Sequence, residues 1–222
     1  MTRKMKRITF SFWLLMCGGM MLTSCTENND NTIVPIGTEY YIDDILTVIP
    51  DTLRDSFFAD FGNIPKGPIP PKIEGSYLMA PKERVASNVE GWPLVLPIPE
   101  NNVNFRFSEQ HNGLVKMELR EAENEEVLTD TVFVCGKEDD FTVYCIEGKT
   151  YEPELNGVTY HVELTRGIIM KGRMASDGIT DFRYANIIMD SKDDFNGITT
   201  SLEKGSYYIY KDGNGKAENC DW

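Results

Sequence analysis

The side chains able to do chemistry in this chain are its thiols, two histidines and many carboxylates. Cysteines stand at Cys17, Cys25, Cys135, Cys145 and Cys220. None forms a C-x-x-C pair and no two histidines are spaced as ligands, so the pattern does not read as a zinc site. His111 falls in a turn and His161 on the polar side of an alternating stretch. A serine triad lacks its G-x-S-x-G elbow, and a zinc protease lacks its H-E-x-x-H helix. Adjacent carboxylates (Glu125-Glu126, Asp139-Asp140, Asp193-Asp194) sit in turn-like stretches. A glycosidase needs two carboxylates facing each other across a cleft, which neighbours in a turn do not supply. Asp212-Gly213-Asn214-Gly215, with Glu218 nearby, has the composition of a calcium loop without its spacing. It reads as a β-turn. These residues lead to the expectation of no catalysis, no metal and no cofactor.

Cys25 has a different setting. Arg3, Lys4, Lys6 and Arg7 precede an apolar run from Ile8 to Leu22, and Leu22-Thr23-Ser24-Cys25 follows. The run is shorter than the ~20 residues a spanning helix needs, and it ends in small residues of the kind found at processing sites. Leu22-Thr23-Ser24-Cys25 resembles the lipobox of bacterial lipoproteins. The resemblance implies that residues 1–24 are a signal peptide and that Cys25 becomes a lipidated N-terminus carrying a diacylglyceryl thioether and an N-acyl chain. One chain anchors only marginally at ~0.8 kcal/mol per buried CH₂, so several together give permanent attachment. Residues 25–39 then form an acidic tether, with Thr26 rather than Asp after the cysteine and Glu27-Asn28-Asn29-Asp30-Asn31 next. The tether is similar to the acidic export segment of Bacteroidetes lipoproteins. The expected location is therefore the outer membrane, lipid-anchored and exposed at the cell surface.

Loss of residues 1–24 leaves 198 of 222 residues, enough for one domain with a full core. It takes four of the 22 basic residues and none of the 35 acidic ones, leaving a net charge of −17. So acidic a chain is a poor electrostatic match for nucleic acid. Three thiols remain beyond Cys25, so at least one is unpaired.

The rest reads as one domain over residues 40–222. Between residues 40 and 62 the period is helical: Ile42, Ile45, Leu46 and Ile49 share a face, and Leu53, Phe57, Phe58 and Phe61 follow Asp51, with Gly62 as the stop. The acidic polar side of this segment argues against an anionic lipid surface and for a plug at one end of a barrel. After a stiff connector (Pro65, Pro68, Pro70, Pro71), strand patterns run over 73–79, 103–107, 114–121, 126–135, 141–147, 158–166, 168–174, 182–189 and 206–211, with a proline-rich loop at 87–102. Val103, Phe105 and Phe107 alternate with Asn104 and Arg106, and Val115, Met117 and Leu119 with Lys116, Glu118 and Arg120. Val158, Tyr160, Val162 and Leu164 read as a further buried set. One-sided burial with short turns predicts an antiparallel up-and-down barrel, with a β-sandwich as the alternative. A hairpin turning at 136–140 would set Cys145 opposite Thr131, ~13 Å along the strand from Cys135, too far for a bridge.

Three stretches resemble Bacteroidetes lipoproteins with a lipocalin-like (calycin) domain: Pro70-Pro71-Lys72-Ile73-Glu74-Gly75-Ser76-Tyr77, Asp177-Gly178-Ile179-Thr180-Asp181-Phe182-Arg183-Tyr184-Ala185, and Tyr210-Lys211-Asp212-Gly213-Asn214-Gly215. Gly75-Ser76-Tyr77 is similar to the lipocalin G-x-W start, with Tyr in place of Trp. The resemblance implies a mainly β, lipocalin-like barrel whose interior can hold a small ligand. The candidate binding residues are Trp92, Leu94 and Leu96, in the proline-stiffened loop 88–99. The expected function is non-catalytic binding of a small apolar or glycan ligand at the cell surface. The alternatives are an interaction or accessory module docking on an outer-membrane protein complex, or a glycan or lipid hydrolase. Mass spectrometry of the native N-terminus is expected to find acylated Cys25 as the first residue; an unmodified Cys25 refutes the anchor.

Overall fold

The computed structural model describes residues 45–89, 97–122, 127–152, 154–155, 157–193 and 203–222. The chain enters through a 3-10 turn at Ile45–Thr47 and a second at Asp51–Leu53, which leads into helix α1, Arg54–Phe61. Gly62, at φ 81°, donates its N–H to Phe58 O and ends the helix as expected. The strands are β1 Gly75–Met79, β2 Lys82–Ser87, β3 Ile98–Glu100, β4 Val103–His111, β5 Leu114–Glu121, β6 Val127–Lys137, β7 Asp140–Tyr151, β8 Glu154–Leu155, β9 Val158–Thr159, β10 Val162–Ala175, β11 Gly178–Asp193, β12 Tyr207–Asp212 and β13 Lys216–Asn219. Among the described residues no helix is long and apolar enough to cross a membrane.

Three pairs of these strands are single runs broken in the middle. β1 and β2 pair with β13 and β12 in one antiparallel direction, Tyr77↔Asn219 and Lys82↔Asp212. On their other side they pair with β4 and β3, Met79↔Val103 and Lys82↔Glu100. The sheet is thus eight successive runs (β1–β2, β3–β4, β5, β6, β7, β10, β11, β12–β13), each antiparallel to the next, and the last returns to the first. The ring of hydrogen bonds is a closed up-and-down β-barrel, which leaves no free sheet edge where the ladders are complete.

The alternation places Val103, Phe105, Phe107, Val115, Met117 and Leu119 inside, with Phe141, Val143, Ile168, Met170, Phe182 and Tyr184. Phe105 meets Phe182 edge-on at 5.1 Å and Tyr184 at 5.7 Å. Each such pair adds about 0.5–1.5 kcal/mol beyond burial. One end of the barrel carries the tight turns at Asn112-Gly113, Glu138-Asp139 and Ser176-Asp177. There Ile73 enters the core, and Gln110 ties the connector down: its Oε1 accepts the Ile73 N–H at 2.8 Å and its Nε2 donates to Pro71 O at 2.8 Å.

The helical segment does not plug an end. Ile45, Val48, Ile49, Phe57, Phe61 and Ile64 pack on the outer face of the wall, against Cys135, Tyr144, Ile169, Ala185, Ile187, Tyr207 and Ile209. These strands are apolar on both faces, as Gly167-Ile168-Ile169-Met170 shows, and two-sided burial needs an outer cover. Phe57 stacks on Phe61 at 5.1 Å and meets Tyr207 edge-on at 5.5 Å. Arg183 Nη1 donates to Asp60 O and Phe61 O, satisfying carbonyls at the helix end, and Tyr207 Oη donates to Asp60 Oδ2 at 2.7 Å.

Other expectations change for local reasons. The stretches 158–166 and 168–174 divided at Gly167, but β10 runs unbroken through it. A Cβ at Gly167 would run into Val48 Cγ1, so this glycine marks a close approach and not a turn. Val158 is 51% exposed, in the small β8–β9 hairpin, and does not join Val162 and Leu164 in the core. The β6–β7 hairpin is one residue off the expected register, with Cys135↔Thr142. Such a slip exchanges faces: Cys135 looks outward and Cys145 inward, so opposite faces add to the separation of ~10 Å that remains along the strand, and both are free.

Gly167→Ala is expected to cost about 1–3 kcal/mol in denaturant unfolding, the usual range for overpacking. Combined with Val48→Ala it should cost less than the sum of the two, because the methyls met by the new Cβ are gone. Strict additivity would mean that Val48 does not bear on Gly167.

Candidate functional site

The end of the barrel opposite the tight turns receives the long connections: 88–97, 122–126, 152–161 and 194–206. Several of the strands at this end carry the inward alternation onward with charge in place of hydrocarbon, while Leu119 and Leu128 keep it apolar. In β2 the inward residues are Lys82 and Arg84, both buried. Lys82 Nζ lies 3.1 Å from Glu121 Oε1 and 3.8 Å from Glu100 Oε2, and 4.9 Å from the Tyr210 ring centre. Arg84 Nη2 meets Glu100 Oε1 at 2.7 Å, with its guanidinium 5.6 Å from the Tyr208 ring centre. Across the lumen, Arg166 of β10 pairs with Glu147 of β7. Tyr184 stacks on Tyr210 at 5.4 Å and donates its hydroxyl to Asn186 Oδ1 at 2.8 Å.

Burial sets the electrostatics of this half. It pushes the Tyr184 phenol up to about 12, against the pull of Arg166. It pushes Tyr210 far above its ordinary value, with Glu100 adding to the rise. Burial opposes the Arg166 charge, yet Tyr184 and Glu147 hold that guanidinium above its usual value. These tyrosines are neutral hydrogen-bonding groups and these cations are fixed, so the half-lumen can bind and orient polar groups. The inward thiol, Cys145, is pushed up to about 12 by burial and by Asp130 and Glu147, so it is a neutral thiol at ordinary pH.

Beside this end a cleft of about 710 Å³ opens between the N-terminal segment and the approach to β12. Pro50 and Leu53 line one side, Asn88 and Val89 another, and the stretch from Glu203 to Ser206 the third. Asn88 fixes it: Nδ2 donates to Gly205 O at 2.9 Å and Oδ1 accepts the Tyr207 N–H at 2.8 Å. Val89 is the last described residue before the loop of Trp92, Leu94 and Leu96. Those three candidates, and Cys25, lie outside the described residues.

The histidines are apart. His111 Nδ1 lies 2.7 Å from Glu109 O in the β4–β5 turn, whereas exposed His161 stands before β10 at the other end, near Glu152 and Glu163. Among the described residues no group of three or more His, Cys, Asp or Glu could hold a metal ion. The Asp212 carboxylate, weighed above as a calcium ligand, is occupied by the backbone N–H groups of Ala80, Asn214 and Lys216.

Lys82, Arg84, Glu100, Glu121, Glu147 and Arg166 were not singled out from sequence. The signal was phase: Glu147 continues Phe141-Val143-Cys145, and Arg166 continues Met170-Ile168, each in steps of two. Comparison of the chain with protein-family models, curated proteins and solved structures finds no match.

With iodoacetamide and peptide mapping on the folded protein, Cys220 is expected to react first, being partly exposed. Cys135 and Cys145, raised to about 11 and about 12 by burial, should resist until the pH nears those values. Alkylation of Cys145 at pH 8 as fast as a free thiol would contradict its placement.

Proposed function

We propose that this is a non-catalytic binding domain held at the outer membrane by lipidated Cys25, and that its ligand is polar and glycan-like. The observation that carries the reading is the lining of the loop end: ion-paired Lys82, Arg84, Glu100 and Glu121 beside Tyr208 and Tyr210. A fatty ligand would take these ion pairs further out of water and return no hydrogen bond to their remaining donors and acceptors. Sugar hydroxyls donate to carboxylates, accept from guanidinium and ammonium groups, and present C–H faces to aromatic rings. The apolar half of the lumen is filled by its own phenylalanines, which argues against a small apolar ligand and for the glycan alternative. The long connections at this end are the usual carriers of recognition on a rigid scaffold.

The test uses residues 26–222 with a panel of soluble oligosaccharides in isothermal titration calorimetry. Tyr208→Ala and Arg84→Met are each expected to weaken the best-bound sugar at least tenfold, about 1.4 kcal/mol, with thermal melting tracked alongside. Absence of binding across the panel, or binding unaffected by either substitution in a folded variant, overturns the reading.

A further inference from the structure

The barrel wall is not sealed everywhere. The ladder between β6 and β7 runs from Lys137↔Asp140 to Phe133↔Tyr144 and stops. Both strands continue beyond it, β6 on β5 back to Val127 and β7 on β10 as far as Tyr151. The cause lies at Asp130. Val134 donates its N–H to Gly113 O on the β5 side, so by alternation the N–H of Thr131 points toward β7. There Asp130 Oδ1 takes it at 2.7 Å. A side-chain acceptor thus replaces the carbonyl that β7 would have supplied, and the strands part. On β7 the backbone groups of Ile146 and Gly148 face the opening by the same alternation, and a Cβ added at Gly148 would meet nothing within 4 Å.

A cleft of about 330 Å³ occupies the gap. Its lining comes from Val48 of the N-terminal segment and from both faces of the wall: Phe133 and Tyr144 from the outer face and Cys145 from the inner, with Ile146 on the outer and Asp130 on the inner by alternation. Phe133 and Tyr144 stack at 5.2 Å and form an aromatic side. Ile146, 49% exposed, is an apolar rim. The carboxylate that lines the cleft is Asp130, and nearby Glu147 is matched by Arg166. The volume is at the small end of ligand pockets. It is too small for an extended peptide of several residues.

We propose that the opening between β6 and β7 binds a small organic cation, an aromatic or aliphatic primary amine, with its ammonium on Asp130 and its apolar body against Phe133, Tyr144 and Ile146. A carboxylate with aromatic faces in a partly desolvated cleft is the arrangement that favours such a cation over its neutral or anionic isostere. This site is separate from the loop-end lining on which the glycan reading rests.

The test uses residues 26–222 and three probes of one shape: phenethylamine, phenethyl alcohol and hydrocinnamate. Binding is followed by NMR shifts of the Thr131, Ile146 and Gly148 amides. The amine is expected to bind at least tenfold tighter than the alcohol or the acid, with shifts centred on these amides. Asp130→Asn keeps the acceptor for the Thr131 N–H and removes the charge. It should reduce the amine to the level of the alcohol. Ile146→Trp, which fills the cleft from its exposed rim, should weaken all three probes. Equal binding of the probes, an unchanged Asp130→Asn affinity, or shifts centred elsewhere overturns the proposal. So does protection of the same amides from exchange by an added extended peptide, which would make the gap a strand-addition site.

Discussion

Closure of the ring depends on a buried carboxylate. The first and last runs of the barrel must pair to close it, and both are broken, at Ala80-Pro81 and at Gly213–Gly215. The breaks lie side by side, and Asp212, 1% exposed, fills them. Its carboxylate accepts from Ala80 N, Asn214 N and Lys216 N, while Gly213 N donates to Pro81 O and Asn214 Nδ2 to Ala80 O. Each of those groups, buried and unpaired, would cost about 1–3 kcal/mol. The seam also sets the phase of the strands that leave it. β2 departs from the break with Lys82 and Arg84 turned inward, and β3 brings Glu100 opposite Lys82. The chemical character of the loop end therefore begins at Asp212.

The lumen is divided between hydrocarbon and charge, and stability does not account for the division. A buried ion pair roughly breaks even against well-packed apolar residues, because the desolvation of both partners offsets their attraction. A lumen filled with leucine and phenylalanine to both ends would fold at least as well. Lys82 shared between Glu100 and Glu121, and Arg166 held by Glu147, instead maintain fixed dipoles and hydrogen-bonding groups at the end of the barrel opposite the tight turns. That arrangement suits a ligand able to exchange hydrogen bonds with them.

How far the sequence could be read depends on which rule each stretch obeys. β4 and β5 were legible because Val103-Phe105-Phe107 and Val115-Met117-Leu119 alternate with polar neighbours, and both sets are buried. β2 was not, because its inward residues are Lys82 and Arg84, and polar residues at core positions invert the pattern that marks a strand. β13 is only four residues long and comes after a glycine-rich break. The second half of the helical stretch was legible as helix, down to the Gly62 stop, whereas Ile45–Thr47 forms only a 3-10 turn, and the docking site of the segment was not legible. Locating it required recognising that Ile168-Ile169 and Ile187-Ile188 are apolar on both faces and so leave an outer surface to be covered. The ion pairs of the loop end join residues far apart in sequence, and only the ring topology brings them together.

The N-terminal segment and the connector also decide where the wall is sealed. From Ile45 to Ile64 the chain covers the outer face of β10, β11 and β12. It then crosses the β6–β7 hairpin near its turn, where Pro65 O accepts the Thr142 hydroxyl at 2.7 Å and Gly67 O accepts the Gly136 N–H at 2.9 Å. That end of the hairpin is thereby tied on its outer side as well as by its own ladder. Further along, the cover reaches only Val48, and the ladder is already interrupted at Asp130. A barrel with all its ladders complete would be stiffer and would have no lateral entry. Here one aspartate, by satisfying the amide that would have continued the ladder, makes the gap without leaving that donor unpaired. The same aspartate puts negative charge into the gap, so a single side chain both opens the wall and sets the charge preference of the opening.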